Sequence, residues 1–199
     1  MWALVESGSV SQVYTRPKQL TLGDTQYPSN IFMLWSSSEL EAIGIYDVVI
    51  DNTNLKDKEY YINTNQSFAF GSGKVTATYG TAIAKPMDNI LFTAQDETDG
   101  LGTEGEVKQP GIRQGHIDAI NSQSAGNLSP TDWMVVRAAE GGTAVPSSIT
   151  TKRAAVRTKA NAMCTQITNA ANVDALAALY VYNDDETPVR PLGELPTVG

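Results

Sequence analysis

Apolar positions change period once along this chain. Residues 2–5 and 10–14 are short apolar runs around Glu6-Ser7-Gly8-Ser9, which predicts a β-hairpin. Leu20 and Leu22 alternate with polar residues before Gly23-Asp24 turns the chain toward Tyr27. Ser36 with Glu39, and Ser38 with Glu41, each fit the start of a helix that Gly44 must end after about two turns. Ile45 to Ile50 is a dense β-type run closed by Asp51-Asn52. Between Tyr60 and Ile83, Tyr61, Phe68, Phe70, Val75, Ala77 and Tyr79 recur mainly at period two around the Gly71-Ser72-Gly73 turn. Residues 1–85 thus read as strands, and the β-rich domain is taken to span 1–95. Its aromatic residues Trp2, Phe32, Trp35, Tyr46, Tyr60 and Phe68 read as core rather than as a ligand platform.

Residues 96–111 interrupt this pattern with four Gly, five acidic residues and a Pro, the composition of an exposed linker. Helical spacing follows. Ile112 to Asn121 places Ile112, His116 and Ile120 on one side, and Gly126-Asn127 ends that helix. A second helix spans about Pro130 to Glu140 and breaks at Gly141-Gly142. A third spans about Ser148 to Ala170, with Ile149, Val156, Ala160, Met163 and Ile167 forming a stripe. Val173 to Tyr180 forms a last helix, before a polar tail carrying Pro188, Pro191 and Pro196. The expected fold class is therefore α+β. A small antiparallel β domain with one short helix (1–95) is followed by a Gly-rich acidic linker (96–111), a helical segment (112–182) and an extended tail (183–199).

Charge narrows the function classes. The chain carries 22 Asp and Glu against 14 Lys and Arg, a net −8, so nucleic acid and anionic membrane surfaces are disfavoured partners. One cysteine, Cys164, excludes an internal disulfide and reads as a half-buried inert thiol. The lone His116 has no sequence sign of catalytic partners. The N-terminus lacks the basic and long apolar regions of a signal peptide, and no window reaches membrane-spanning length, so a soluble protein made in a cytoplasm is expected. Gln95 to Glu106 partly fits a calcium-loop register, with Gln95, Glu97, Asp99, Gly100 and Glu106 at the first, third, fifth, sixth and twelfth places. The first ligand is a Gln and no amphipathic helix precedes it, so the solvated-linker reading is preferred. Gly71-Ser72-Gly73-Lys74 lacks phosphate-loop spacing and reads as a turn. Neither a metal nor a cofactor is expected, and the reading is non-enzymatic.

The remaining candidates lie between Leu128 and Met163. Arg137, Arg153 and Arg157 either form an anion-binding fork or pair with Asp132, Glu140 or helix-end carbonyls and fix the angle between helices, the second being preferred. Trp133 and Val136 share a helix face. With a connection of suitable length at Gly141 to Pro146, that face is expected to pack on the Met163 side of the third helix, against Val156 and Ala160.

Several runs carry a family resemblance. The opening MWALVESGSV, the segment YPSNIFMLWSSSELEAIGIYDVVIDNTN, the run LFTAQDETDGLGTEGEVKQPG, the run TDWMVVRAAEGG with VPSSITTKRAAVRTKANAM, and the closing VRPLGELP resemble parts of small tail-associated and tail-fibre accessory proteins of tailed marine and cyanobacterial bacteriophages. The resemblance implies a non-enzymatic virion protein made in the host cytoplasm, most readily at the tail or tail fibre. It would be a homo-oligomer docking on other phage virion proteins, with Trp133, Arg137, Arg153, Arg157 and Met163 as interface or helix-packing residues. A tail-fibre assembly chaperone absent from the mature virion, or a head decoration protein, are the other implied roles.

Overall fold

The computed structural model describes residues 1–198. Strands make up 23% and helices 36%, sorted largely to opposite ends of the chain, which makes the fold α+β. Two compact units divide between Ile83 and Ala84, earlier than the expected boundary at 95.

The first unit opens with the expected hairpin, β1 (Trp2–Glu6) and β2 (Ser9–Tyr14), followed by a second, β3 (Leu20–Leu22) and β4 (Thr25–Tyr27). Two short helices come next where one was expected: α1 (Ile31–Leu34) and α2 (Ser37–Glu41). Trp35 turns extended between them, and Ser36 and Glu39 cap α2 reciprocally, the Ser36 amide donating to Glu39 Oε2 at 2.8 Å. The chain continues through β5 (Ile45–Asp51), β6 (Tyr61–Ile62), β7 (Gln66–Gly71) and β8 (Lys74–Tyr79) to β9 (Ile83–Ala84), which pairs with β6 where this unit ends.

The main sheet has the order β2-β1-β5-β8-β7. Three of its ladders are antiparallel, as expected, but β5 and β8 run parallel, from Val48↔Val75 to Asp51↔Thr78. Burial explains which strand of the β7–β8 hairpin takes the interior place: Val75 and Ala77 of β8 are fully buried, whereas β7 alternates half-buried and exposed residues. The edge strands β2 and β7 come back toward one another, so the sheet curls. Leu4, Tyr14, Leu20, Ile31, Phe32, Leu40 and Ile45 fill the main apolar cluster. Phe32 stacks on Trp2 at 4.7 Å and on Tyr14 at 5.8 Å, so these aromatics belong to the core.

The second unit begins with β10 (Ile90–Leu91), α3 (Ala94–Thr98) and β11 (Val107–Gln109), β10 and β11 forming a small antiparallel pair. Here the acidic segment departs from the linker reading. Thr93 and Asp96 cap α3 reciprocally, and Lys108 reaches back to Asp96 Oδ1 at 2.6 Å. Gly102 lies under the Phe92 ring, whose atoms a Cβ there would meet at 2.5 Å. The composition therefore reflects a folded loop, not a free linker. Two more of its carboxylates are engaged: Gln95 donates to Asp99 at 2.8 Å and the Glu104 amide to Glu97 at 3.3 Å. Among the described residues no group of three or more His, Cys, Asp or Glu side chains is arranged to hold a metal ion.

The Lys108 ammonium and the Thr93 amide and hydroxyl hold the Asp96 carboxyl at about 2, against its ordinary 3.8. A carboxylate with a depressed folded value favours the closed loop above its unfolded value and ceases to do so as pH falls through the folded one. The contribution of Asp96 to closing the loop is expected to be fully present at neutral pH and to be lost between pH 3.8 and about 2. NMR amide exchange at Thr93 and Asp96 measures this, and unchanged protection at the lower limit would contradict it.

The helices follow: α4 (Ile112–Leu128), a single 3-10 turn (Ser129–Thr131), α5 (Asp132–Ala139), α6 (Ser147–Asn169) and α7 (Val173–Ala178). α4 continues through Gly126 instead of ending there. Val156, Ala160, Met163 and Ile167 form the buried stripe of α6, and its main helical partner is α4, which buries His116, Ile120 and Ser124 at i, i+4, i+8. The segment after α7 does not extend away. Leu192 is fully buried and Val198 nearly so; Lys159 and Lys152 of α6 donate to their carbonyl oxygens, and Asn127 of α4 donates to that of Pro196. Among the described residues no helix is long and apolar enough to cross a membrane.

Candidate functional site

The candidate site is built on the corner where α4 ends and α5 begins. Pro130 occupies the first turn of the 3-10 segment, where a missing amide costs nothing, and Thr131 leaves helical geometry there (φ −114°, ψ 3°). Arg153 of α6 locks this corner from below. Its Nη1 donates to the Leu128 carbonyl at 2.7 Å and to Thr131 Oγ1 at 2.5 Å, and its Nη2 to Asp132 Oδ1 at 2.7 Å. Only 5% of Arg153 is exposed. The planar guanidinium satisfies a helix-end carbonyl, a hydroxyl and a carboxylate together, which a lysine cannot do. This is the structural role expected for one of the three arginines.

Held at that angle, α5 buries none of its residues. Trp133 is 55% exposed, Val136 55% and Val135 41%, so the face expected to meet α6 looks into solvent. The expected packing of Trp133 and Val136 on Met163, Val156 and Ala160 is therefore corrected: α4, twice as long, already covers that stripe. The Arg137 guanidinium lies 4.8 Å over the Trp133 ring, an i, i+4 cation–π pair that holds the indole in one orientation. Gly141 stops the helix at φ +84°, and the Gly142 amide donates to the Arg137 carbonyl at 3.0 Å. A Cβ at Gly142 would lie 2.8 Å from Arg137 Cγ, so this glycine lets the arginine stay folded against the helix end.

Beside α5 opens a cavity of about 270 Å³ lined by Val135, Val145, Thr150, Arg153 and Arg157. Arg157 is exposed at its rim, while Arg153 is already engaged. The five residues singled out from sequence thus separate. Trp133 and Arg137 form one exposed pair, Arg153 and Arg157 line the neighbouring cavity, and fully buried Met163 belongs to the core. Val135 and Val145 were missed. Their signal was available as a second apolar residue beside Val136, and as the apolar residue before Pro146.

With its indole half in water, Trp133→Ala should change unfolding free energy by less than about 1 kcal/mol. Urea unfolding followed by circular dichroism measures it, and a loss several times larger would place the indole in a packed site. No known protein family, curated protein or solved structure matches this chain.

Proposed function

We propose that this protein is a non-enzymatic structural component of a tailed-phage virion, associated with the tail or tail fibre, and that it works by docking α5 on another virion protein. The phage setting rests on the sequence resemblance. The docking mode rests on one observation: Trp133 and Val136, three places apart on one side of an eight-residue helix, are both exposed, with Arg137 stacked on the indole. Tryptophan and arginine are the residue types most enriched where protein interfaces concentrate their energy. Arg137 adds positive charge beside the indole. The partner surface it suits is an apolar pocket for the indole, bordered by carboxylates.

Quantitative mass spectrometry of purified particles tests the assignment. A tail component should be present at about three to a few dozen copies, following the cyclic symmetry of tail rings. Presence in infected cells but not in washed particles would replace it with the fibre-assembly chaperone, and hundreds of copies with a head decoration protein. Trp133→Ala should lower incorporation into particles while leaving the fold intact; undiminished incorporation would remove α5 as the docking element.

A further inference from the structure

A second cavity of the second unit, of about 590 Å³, opens between the end of α7 and the segment that follows it. Ala178, Val181, Val189 and Pro191 are its apolar walls, with Tyr182 and Arg190 beside them. The polar groups around it are satisfied within the fold. Arg190 lies over the Tyr180 ring at 5.4 Å and the Tyr182 ring at 5.5 Å. Its Nε and Nη2 donate to Glu194 at 2.8 and 3.0 Å, and the Tyr182 hydroxyl donates to the same carboxylate at 2.5 Å. Arg190 is neutralised in place, so the cavity presents an apolar lining to a guest. Val181 and Val189 nonetheless stay exposed to solvent.

One border of this cavity is acidic. Asn183 and Val189 close a loop, the Asn183 amide donating to the Val189 carbonyl at 2.9 Å and the Val189 amide to Asn183 Oδ1 at 2.8 Å. Between them stand Asp184, Asp185 and Glu186, all exposed and, among the described residues, without a cationic partner. Helix α5 carries the converse set. Trp133 and Val136 face solvent, and Arg137, stacked on the indole, meets no carboxylate among the described residues. Clefts of roughly 300–1,000 Å³ enclose groups larger than one side chain, so an indole with Val136 beside it fits. The unpaired cation then faces unpaired carboxylates.

One copy cannot make this contact with itself. Tyr180, at the cavity end, stacks on His116 near the start of α4 at 4.8 Å. α5 departs from the other end of α4, where Arg153 holds the Leu128 carbonyl. The helix rise from His116 to Leu128 is roughly 18 Å. Knob and hole therefore lie toward opposite ends of α4, and the contact can only join different copies head to tail. Such a heterologous contact repeats from copy to copy until it closes a ring or grows as a filament. We propose that α5 of one copy seats Trp133 in the α7 cavity of the next, with Arg137 facing the loop that carries Asp184, Asp185 and Glu186. This rests on the reading of α5 as the docking element and names its partner as a second copy of the chain.

Sedimentation velocity of the full chain tests it from about 1 to 300 µM, where contacts of modest area associate. The wild-type mass should rise with concentration past the dimer, and less steeply in about 0.5 M salt, which screens the charged border. Trp133→Ala removes the knob, and Val189→Lys places a charge in the hole. Each variant alone should remain monomeric, with circular dichroism unchanged because both residues are exposed. Mixed in equal amounts, the two retain one intact knob and one intact hole, and should form a dimer and nothing larger. A monomeric wild type, assembly that survives either variant, or a mixture that stays monomeric would each overturn the proposal. If a monomeric wild type still loses incorporation into particles on Trp133→Ala, self-docking fails while α5 remains the element that docks on a different virion protein.

Discussion

Replacing Arg153 by Met should destabilise the second unit by roughly 2–4 kcal/mol. The guanidinium makes three hydrogen bonds to three different partners while only 5% exposed. A methionine fills most of the volume but removes the donor to the Thr131 oxygen and one of two donors to the Leu128 carbonyl, which keeps the Thr131 hydroxyl at 3.0 Å, and the loss of these hydrogen bonds in a buried corner dominates the effect. The Asp132 arm contributes least, because that carboxylate is 56% exposed and rehydrates when released. Asp132→Asn should accordingly cost under about 1 kcal/mol. Urea unfolding of the two variants, followed by helical circular dichroism, separates them. Equal losses would mean that the ion pair, and not the buried hydrogen bonds, holds the corner.

Met163→Ala should have a comparable or larger effect, roughly 2–5 kcal/mol. Met163 is fully exposed to packing and not to solvent (0%), at the centre of a stripe flanked by Ala160 and Ile167. Shortening it removes apolar contact and opens a void between α4 and α6 that two rigid helices close only in part. Met163→Leu, which nearly conserves volume, should cost less than about 1.5 kcal/mol. Similar losses for both would mean that the site tolerates no change of shape rather than no change of volume. The contrast with Trp133→Ala inverts the expectation from residue size: the larger side chain matters less to stability because it is spread over solvent.

That inversion shows what local pattern can and cannot carry. Spacings of four, three and four from Val156 to Ile167 identified the buried side of α6, because a helix repeats its faces at fixed intervals whatever it packs against. Period two marked β7 and β8, and the Ser36–Glu39 pair marked the start of α2, since each depends on residues a few places apart. The same spacings say nothing about which surface covers a face. Trp133 and Val136 carry the pattern of a core helix, yet α4 takes their expected place on α6. The parallel pairing of β5 with β8 is likewise decided by competition among strands. Composition misled in the acidic segment, where Gly102 answers to the Phe92 ring and Asp96 to Lys108. Of the docking helix, Trp133 and Arg137 were legible as residues to watch; their exposure was not.

The burial of Leu192 and Val198 against the earlier helices imposes an order on biosynthesis. α4 and α6 leave the ribosome before the residues that complete their covering, and Asn127 waits for a partner at Pro196. At about 5–20 residues per second, the interval lasts seconds, far longer than a helix needs to form. During it the nascent chain displays the apolar surface that Leu192 and Val198 later cover, so that part of the second unit is completed last. A stall or nick ahead of residue 192 would hold the chain in that open, adhesive condition, and chaperone capture should be strongest there.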